Sequence, residues 1–382
     1  MKRFANLVER LLAEKKRLAA SIESRLDPRE AEEARRDHHA RRRPIPCGMT
    51  IHTGVGCNFG CLYCYVPDMG FPLKPRPYPL SGLQLVYALL NNPYFVPGPR
   101  GTLLAFGSVT EPFMPETVDR ALEYLEETWR HLRNPQQIST KSVLDGERLE
   151  RFVKSSDPRI NVLITITTLR YAHMLEPGAP SPDERLRFAA ELARRGVSVT
   201  LFLRPIVPGV TDRELEDIIR RAREAGIRTM VPGSLRVTPG ILRRLGASGI
   251  VDIKVIEERL PRNPRGSRDQ VTLRESDLKE LAARIAARYG LRVLPSSCSA
   301  NIVSHGLGCW ACKWGPCGHA PPRPQEGEVA EAAEVLGCRR ARASVKGNTI
   351  YLVCNGDRRL ADIARVWIET ITKFRTVARQ GR

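Results

Sequence analysis

The sequence has no apolar run of about 18 residues, so it offers no transmembrane helix. It also lacks the apolar core of a signal peptide. The opening stretch MKRFANLVERLLAEKKRL interrupts its apolar positions with charge. Both absences point to a cytoplasmic protein with no membrane partner. No internal repeat or extended low-complexity segment is visible. The 382 residues therefore read as one large domain with an extension, or as two domains. Acidic residues are scarce relative to basic ones: 42 Asp and Glu face 61 Lys and Arg, for a formal net charge of +19. That excess suits a polyanionic partner such as nucleic acid, or else a basic solvated surface. Apolar residues make up 42% of the chain, enough for a sizeable core.

Cysteine is not scarce. There are ten, and at least six fall in two tight groups. In a reducing compartment such clustering favours metal binding over disulfides, with hyperthermophile cytosol as the exception. Around these groups the chain divides into three parts. Phe4, Leu7, Val8, Leu11, Leu18, Ile22 and Leu26 recur at helical spacing until Asp27-Pro28, and the basic run Arg41-Arg42-Arg43 follows. Residues 1–45 are thus expected to be a basic helical arm.

From Met49 a strand–helix rhythm begins. Strands are expected at 49–53, 102–106, 136–140, 160–167, 198–203, 227–231, 250–255 and 291–294. Amphipathic segments lie between most of them; one is opened by the capping box Ser181-Pro182-Asp183-Glu184. Strands alternating with helices imply an α/β fold with a parallel sheet, here a full or partial (β/α) barrel over residues 46–295. Asp252 and Lys254 would share one face of the seventh strand. Residues 296–382 read as a small Cys-rich domain with a hairpin at 341–354 and a terminal helix at 358–376.

The first cysteine group is GCNFGCLYCYVP, with Cys57, Cys61 and Cys64 spaced C-x3-C-x2-C. Three thiolates can hold three irons of a [4Fe–4S] cluster, where a plain electron-transfer cluster takes four. The fourth iron would stay open, as catalytic metal sites require. A zinc knuckle or incidental cysteines is the plainer alternative. The group follows the first expected strand directly, on the side of a barrel where catalysis occurs.

With Tyr63 as the aromatic before Cys64, this motif resembles the signature of the radical S-adenosylmethionine (SAM) superfamily. The resemblance implies a radical SAM type of partial barrel. It also implies that Cys57, Cys61 and Cys64 bind a [4Fe–4S] cluster whose open iron holds SAM. An external electron donor would then drive SAM cleavage to methionine and a 5′-deoxyadenosyl radical. FGSVTEPFMP, STKS, ITITT, LEPGAPSPDERL and RPIVPGVTD further resemble the spore photoproduct lyase-like branch, over about residues 48–220. By that resemblance Tyr63, Ser108, Thr110, Glu111, Lys141, Thr165 and Arg204 are candidates for the SAM site. Glu111 would face the SAM ammonium and Lys141 its carboxylate. Glu111 can equally be a carboxylate at a helix N-terminus, and Arg204 can equally pair with an acid outside the site. The lyases use a cysteine hydrogen donor in the stretch corresponding to Gly107–Glu111, where this chain has Ser108. A hydroxyl is a far poorer hydrogen-atom donor than a thiol.

The second group, Cys298, Cys309, Cys312 and Cys317, is spaced C-x10-C-x2-C-x4-C. Four thiolates can saturate a structural zinc or a second [4Fe–4S] cluster. Cys298 can instead be a catalytic hydrogen donor, with Cys338 and Cys354 completing the metal site in its place. His305 and His319 are further possible ligands or surface histidines. Cys47 reads as structural. Trp310 and Trp314 either shield the metal or stack on a base or a peptide side chain. For the substrate, nucleic acid stands beside an acidic peptide or protein. A non-catalytic Fe–S or zinc protein that binds nucleic acid is the alternative to an enzyme.

Overall fold

The computed structural model describes residues 3–45 and 48–381. Its centre is a sheet of seven parallel strands in sequential order: β1 (Met49–Ile51), β2 (Leu104–Phe106), β3 (Gln136–Thr140), β4 (Asn161–Thr165), β5 (Ser198–Ile206), β6 (Thr229–Ser234) and β7 (Arg292–Val293). Among the described residues no pairing joins β7 to β1, so the barrel is partial. Helices in the connections bury stripes against the strands. In Leu215–Glu224 that stripe is Leu215, Ile218, Ile219 and Ala222. The capping box at Ser181 is present, with Pro182 in the first turn of its helix.

The expected strand at 250–255 is absent. Asp252 accepts a hydrogen bond from the Lys254 amide at 3.0 Å and caps a helix over Ile253–Glu258. Asp252 and Lys254 are therefore exposed at a helix start, not neighbours on one face of a strand. An Asp two residues before a free amide forms a cap locally, and that outweighs a short alternating pattern.

The helix Arg3–Glu23 lies against the molecule. Val8 is fully buried in a cluster with Trp367, Ile368 and Phe374, and Ile22 joins the central core. The Lys15 ammonium is buried and donates to the Asn92 and Phe95 carbonyls at 2.5 and 2.7 Å. Arg43 of the basic run pairs with Asp362 at 3.0 Å.

After β7 the helix Ser297–Ser304 packs Ala300 and Val303 on Leu163, Phe202 and Val231 of the sheet. The expected hairpin forms as β8 (Arg339–Lys346) and β9 (Thr349–Asn355). The terminal helix ends at Thr372, and a further strand, β10 (Arg375–Gln380), pairs parallel to β9. Cys338 and Cys354 form a disulfide inside this unit, so neither completes the second thiol group. Cys47 lies outside the described residues. No helix among them is long and apolar enough to cross a membrane.

Candidate active site

The loop bearing Cys57, Cys61 and Cys64 leaves β1 at its C-terminal end. Apart from the Val66 amide, which donates to Cys64 Sγ at 3.5 Å, it is held by groups that do not involve sulfur. Arg244 donates to the Leu62 and Cys64 carbonyls at 3.1 and 2.7 Å, while Asp68 grips its guanidinium at 2.9 and 3.0 Å. Thr110 Oγ1 donates to the Gly56 carbonyl at 2.5 Å, and the Tyr65 hydroxyl to the Ser108 carbonyl at 2.7 Å. Gly56 sits at φ +89°, and a Cβ there would lie 2.4 Å from the Pro72 carbonyl oxygen. Only glycine fits that close approach.

The three thiols border a cavity of about 520 Å³ at the mouth of the partial barrel. Burial pushes the Cys57 and Cys61 thiols above the ordinary range, a cost that a bound cation reverses. Three thiols on one preformed loop, beside an open cavity, fit an iron–sulfur cluster with one free iron.

All of the polar residues expected at the SAM site line this cavity. Glu111 is buried and preorganised: Thr140 Oγ1 and the Lys141 amide donate to its two oxygens at 2.5 and 2.8 Å. Burial raises its pKa against those hydrogen bonds. The Lys141 ammonium lies 5.5 Å from the Tyr63 ring centre. Burial works against its charge, but Cys61 and Glu176 outweigh that and hold its pKa up. Thr165 ends β4. Arg204 turns into the cavity, and among the described residues it makes no ion pair; burial, and then Arg236, lower its pKa. The Ser108 hydroxyl is 3.2 Å from His52 Nδ1.

Three functional features were not assigned from the sequence. The first is the buried pair Glu176–Arg185, at 2.6 Å, which ties Tyr63 to the end of β4. Both lie inside LEPGAPSPDERL, so the signal was present as two charges flanking a helix start. The second is Arg244, which closes the cysteine loop from roughly 180 residues away, as no local pattern predicts. The third is Arg236, a second cation at the cavity.

The second thiol group is assembled from two elements. Cys298 is in the first turn of Ser297–Ser304, and Cys309 faces Cys317 across a two-residue antiparallel ladder, with Cys312 in the loop between. Cys298, Cys309 and Cys317 pack on Leu103 and Ile302. Burial, and then the three companion thiols, push Cys317 up to about 12. The Ser297 side of the helix start borders the active cavity. Lys373 is buried nearby and donates to the Gly101 carbonyl at 3.1 Å. His305 is neither surface nor ligand. Its two ring nitrogens contact Asp157 at 2.6 Å and the Asn301 carbonyl at 2.7 Å in the interior. Trp310 stacks edgewise on Phe374, while Trp314 is exposed.

The family model of the radical SAM superfamily matches residues 51–222, from β1 to the helix after β5. The chain carries a radical SAM domain. Around it the likeness is to diverse proteins. A protein of Acidianus two-tailed virus, described as the uncharacterized protein ORF301, is 25% identical over 202 residues, covering 47% of this chain and 64% of the viral one. A radical SAM Nalpha-GlyT isomerase of Pseudomonas phage M6 is 25% identical over 206 residues, covering 52% of this chain and 42% of the phage one. Among solved structures, a spore photoproduct lyase mutant with bound AdoMet and dinucleoside spore photoproduct superposes with a TM-score of 0.51 at 17% identity, over 65% of this chain and 76% of that one. A second lyase mutant gives 0.50 at 18%, over 66% and 78%. These structural likenesses are of fold alone.

Proposed function

We propose that this protein is a radical SAM enzyme acting on nucleic acid in the cytoplasm. The observation that carries the reading is the C-x3-C-x2-C loop, seated at the end of β1 on a cavity whose other walls hold Glu111, Lys141 and Thr165. Cys57, Cys61 and Cys64 would hold a [4Fe–4S] cluster which, reduced by an external donor, would supply the cleavage of SAM to methionine and a 5′-deoxyadenosyl radical. The protein's part is orientation and charge. The fixed Glu111 carboxylate can accept hydrogen bonds from the SAM ammonium. Lys141 can pair with its carboxylate, and the Tyr63 ring gives Lys141 a cation–π support. Arg204 and Arg236 leave positive charge facing the cavity, which suits an anionic substrate.

Two findings support nucleic acid: the excess of 61 basic over 42 acidic residues, and structural likeness to a lyase whose ligand is a dinucleoside. Repair by a thiol donor at the position of Ser108 is not part of the proposal, because a hydroxyl stands there in place of the thiol.

Formation of 5′-deoxyadenosine from SAM, after anaerobic reconstitution and reduction, tests the reading. SAM affinity tests the residue roles. Glu111→Gln and Lys141→Met are each expected to weaken SAM binding about 30-fold or more, the effect of unpairing a buried charge. Iron content should stay unchanged. Equal affinity in both variants would remove these two residues from the SAM site.

The second thiol group is proposed to hold an iron–sulfur cluster. Four thiols gathered by one helix start and one short ladder can saturate such a cluster. In a Cys57→Ala/Cys61→Ala/Cys64→Ala variant, about four irons per chain should remain. About one zinc and no iron would establish zinc instead.

A further inference from the structure

The sheet of β8, β9 and β10 has one buried and one open face. Val345, Ile350, Leu352 and Cys354 point inward, into a core shared with the helices Glu326–Val335 and Arg358–Thr372. The pairing register arranges the other face in three rows. Lys346 stands opposite Thr349, and Thr349 opposite Arg375. Ser344 stands opposite Tyr351, and Tyr351 opposite Val377. Arg342 stands opposite Val353, and Val353 opposite Arg379. Tyr351 is therefore central, with a cation at each of four corners. From strand spacing and rise, the corners enclose roughly 10 by 13 Å.

Several features set this face apart from an ordinary solvated surface. Its three strands carry six basic residues and no Asp or Glu. Elsewhere, exposed arginines sit beside acids on their own helices, as Arg130 does with Glu126 and Glu127, or Arg220 with Asp217 and Glu224. Among the described residues none of Arg342, Lys346, Arg375 or Arg379 is in an ion pair. Tyr351 is 40% exposed, a large aromatic side chain kept in water at the centre of positive charge.

The β8 edge of the sheet is closed while the face is open. Glu334 and Glu326 accept from the Ala341 and Val345 amides at 3.1 and 2.8 Å, covering the outer edge of β8. An extended peptide cannot add there as a strand. What the face does offer is a stacking surface ringed by phosphate-binding charge, the combination by which single strands are held.

We propose that this face binds single-stranded nucleic acid, with a base stacked on Tyr351 and phosphates on Arg342, Lys346, Arg375 and Arg379. The inference rests on the nucleic-acid reading of the substrate and adds a docking surface outside the radical SAM domain.

The test is fluorescence anisotropy of a labelled oligothymidylate of about 12 nucleotides against the full chain, over a series of salt concentrations. Tyr351→Ala is expected to weaken binding about tenfold with little change in salt dependence. Tyr351→Phe, which keeps the ring, should bind like the wild type. The variant Arg342→Ala/Lys346→Ala/Arg375→Ala/Arg379→Ala should lower the slope of log affinity against log salt by about 2 to 3, near 0.7 per lost phosphate contact. Substrate-free 5′-deoxyadenosine formation is measured on the same samples and should not change, so the docking surface and the radical chemistry fail independently. An unchanged affinity and slope in the fourfold variant would overturn the proposal. So would poly-glutamate binding that is as sensitive to Tyr351→Ala as the oligonucleotide is, since that would make the face a site for acidic peptide.

Discussion

Replacing Cys57, Cys61 and Cys64 with alanine is expected to reduce 5′-deoxyadenosine formation to the assay background, a loss of at least about a thousandfold. Each thiolate would hold one iron, and no described side chain of the loop offers a substitute. The loop itself should survive. Arg244, Asp68, Tyr65 and Thr110 fix it through backbone carbonyls and a carboxylate, without using sulfur. Thermal unfolding and far-UV circular dichroism should therefore stay near wild type, and the second thiol group should keep its metal. Those controls separate lost chemistry from lost fold. Product formed at the wild-type rate by the triple variant would sink the radical SAM reading outright.

The same loop shows what was legible in the sequence. Spacing alone singled out the three thiols that border the cavity, because they lie on one loop that the chain carries contiguously. The parallel sheet was legible too, since buried strands and amphipathic helices repeat with their own periods. Failures came where one local choice competed with another. Residues 250–255 alternate like a strand, yet Asp252 caps a helix there. At the C-terminus the expected helix ran on to 376. The chain instead turns through Lys373 in the left-handed region, at φ 59°, and continues as β10. Nothing in RTVARQ announces a strand apart from the partner it finds in β9. Partners distant in sequence were the other blind spot. His305 had been read as a ligand or surface group, but its environment is Asp157, 148 residues earlier. Cys338 and Cys354 looked like spare ligands until the hairpin brought them together. Arg204 was undecided between cavity and ion pair, and only the packing around β5 turns it inward.

Glu176→Ala is expected to destabilise the protein by about 3–5 kcal/mol, a large share of the 5–15 kcal/mol typical of a folded domain. Glu176 and Arg185 are each no more than 1% exposed and stand 2.6 Å apart. Around them, Tyr63 donates to Glu176 from the cysteine loop, and Arg185 donates to the carbonyls of Thr165 and Pro180 at 3.1 and 2.7 Å. The pair is thus the joint between β4 and the cysteine loop. Two backbone bonds run alongside it, Leu62 to Leu175 and Gly178 to Phe59, both at 2.9 Å. Removing the carboxylate leaves a guanidinium in the interior without its counter-charge, which costs far more than the pair contributes when intact. The double variant Glu176→Gln/Arg185→Met removes both charges at similar volume, so it should be more stable than Glu176→Ala alone. Urea unfolding measures the stabilities, and iron retained after reconstitution reports on the joint. Glu176→Ala should lose iron from the Cys57, Cys61 and Cys64 site first, because Tyr63, between Cys61 and Cys64, loses its anchor. Equal stability of the wild type and the single variant would show that water reaches this pair, and would remove it as the element that holds the cluster loop to the barrel.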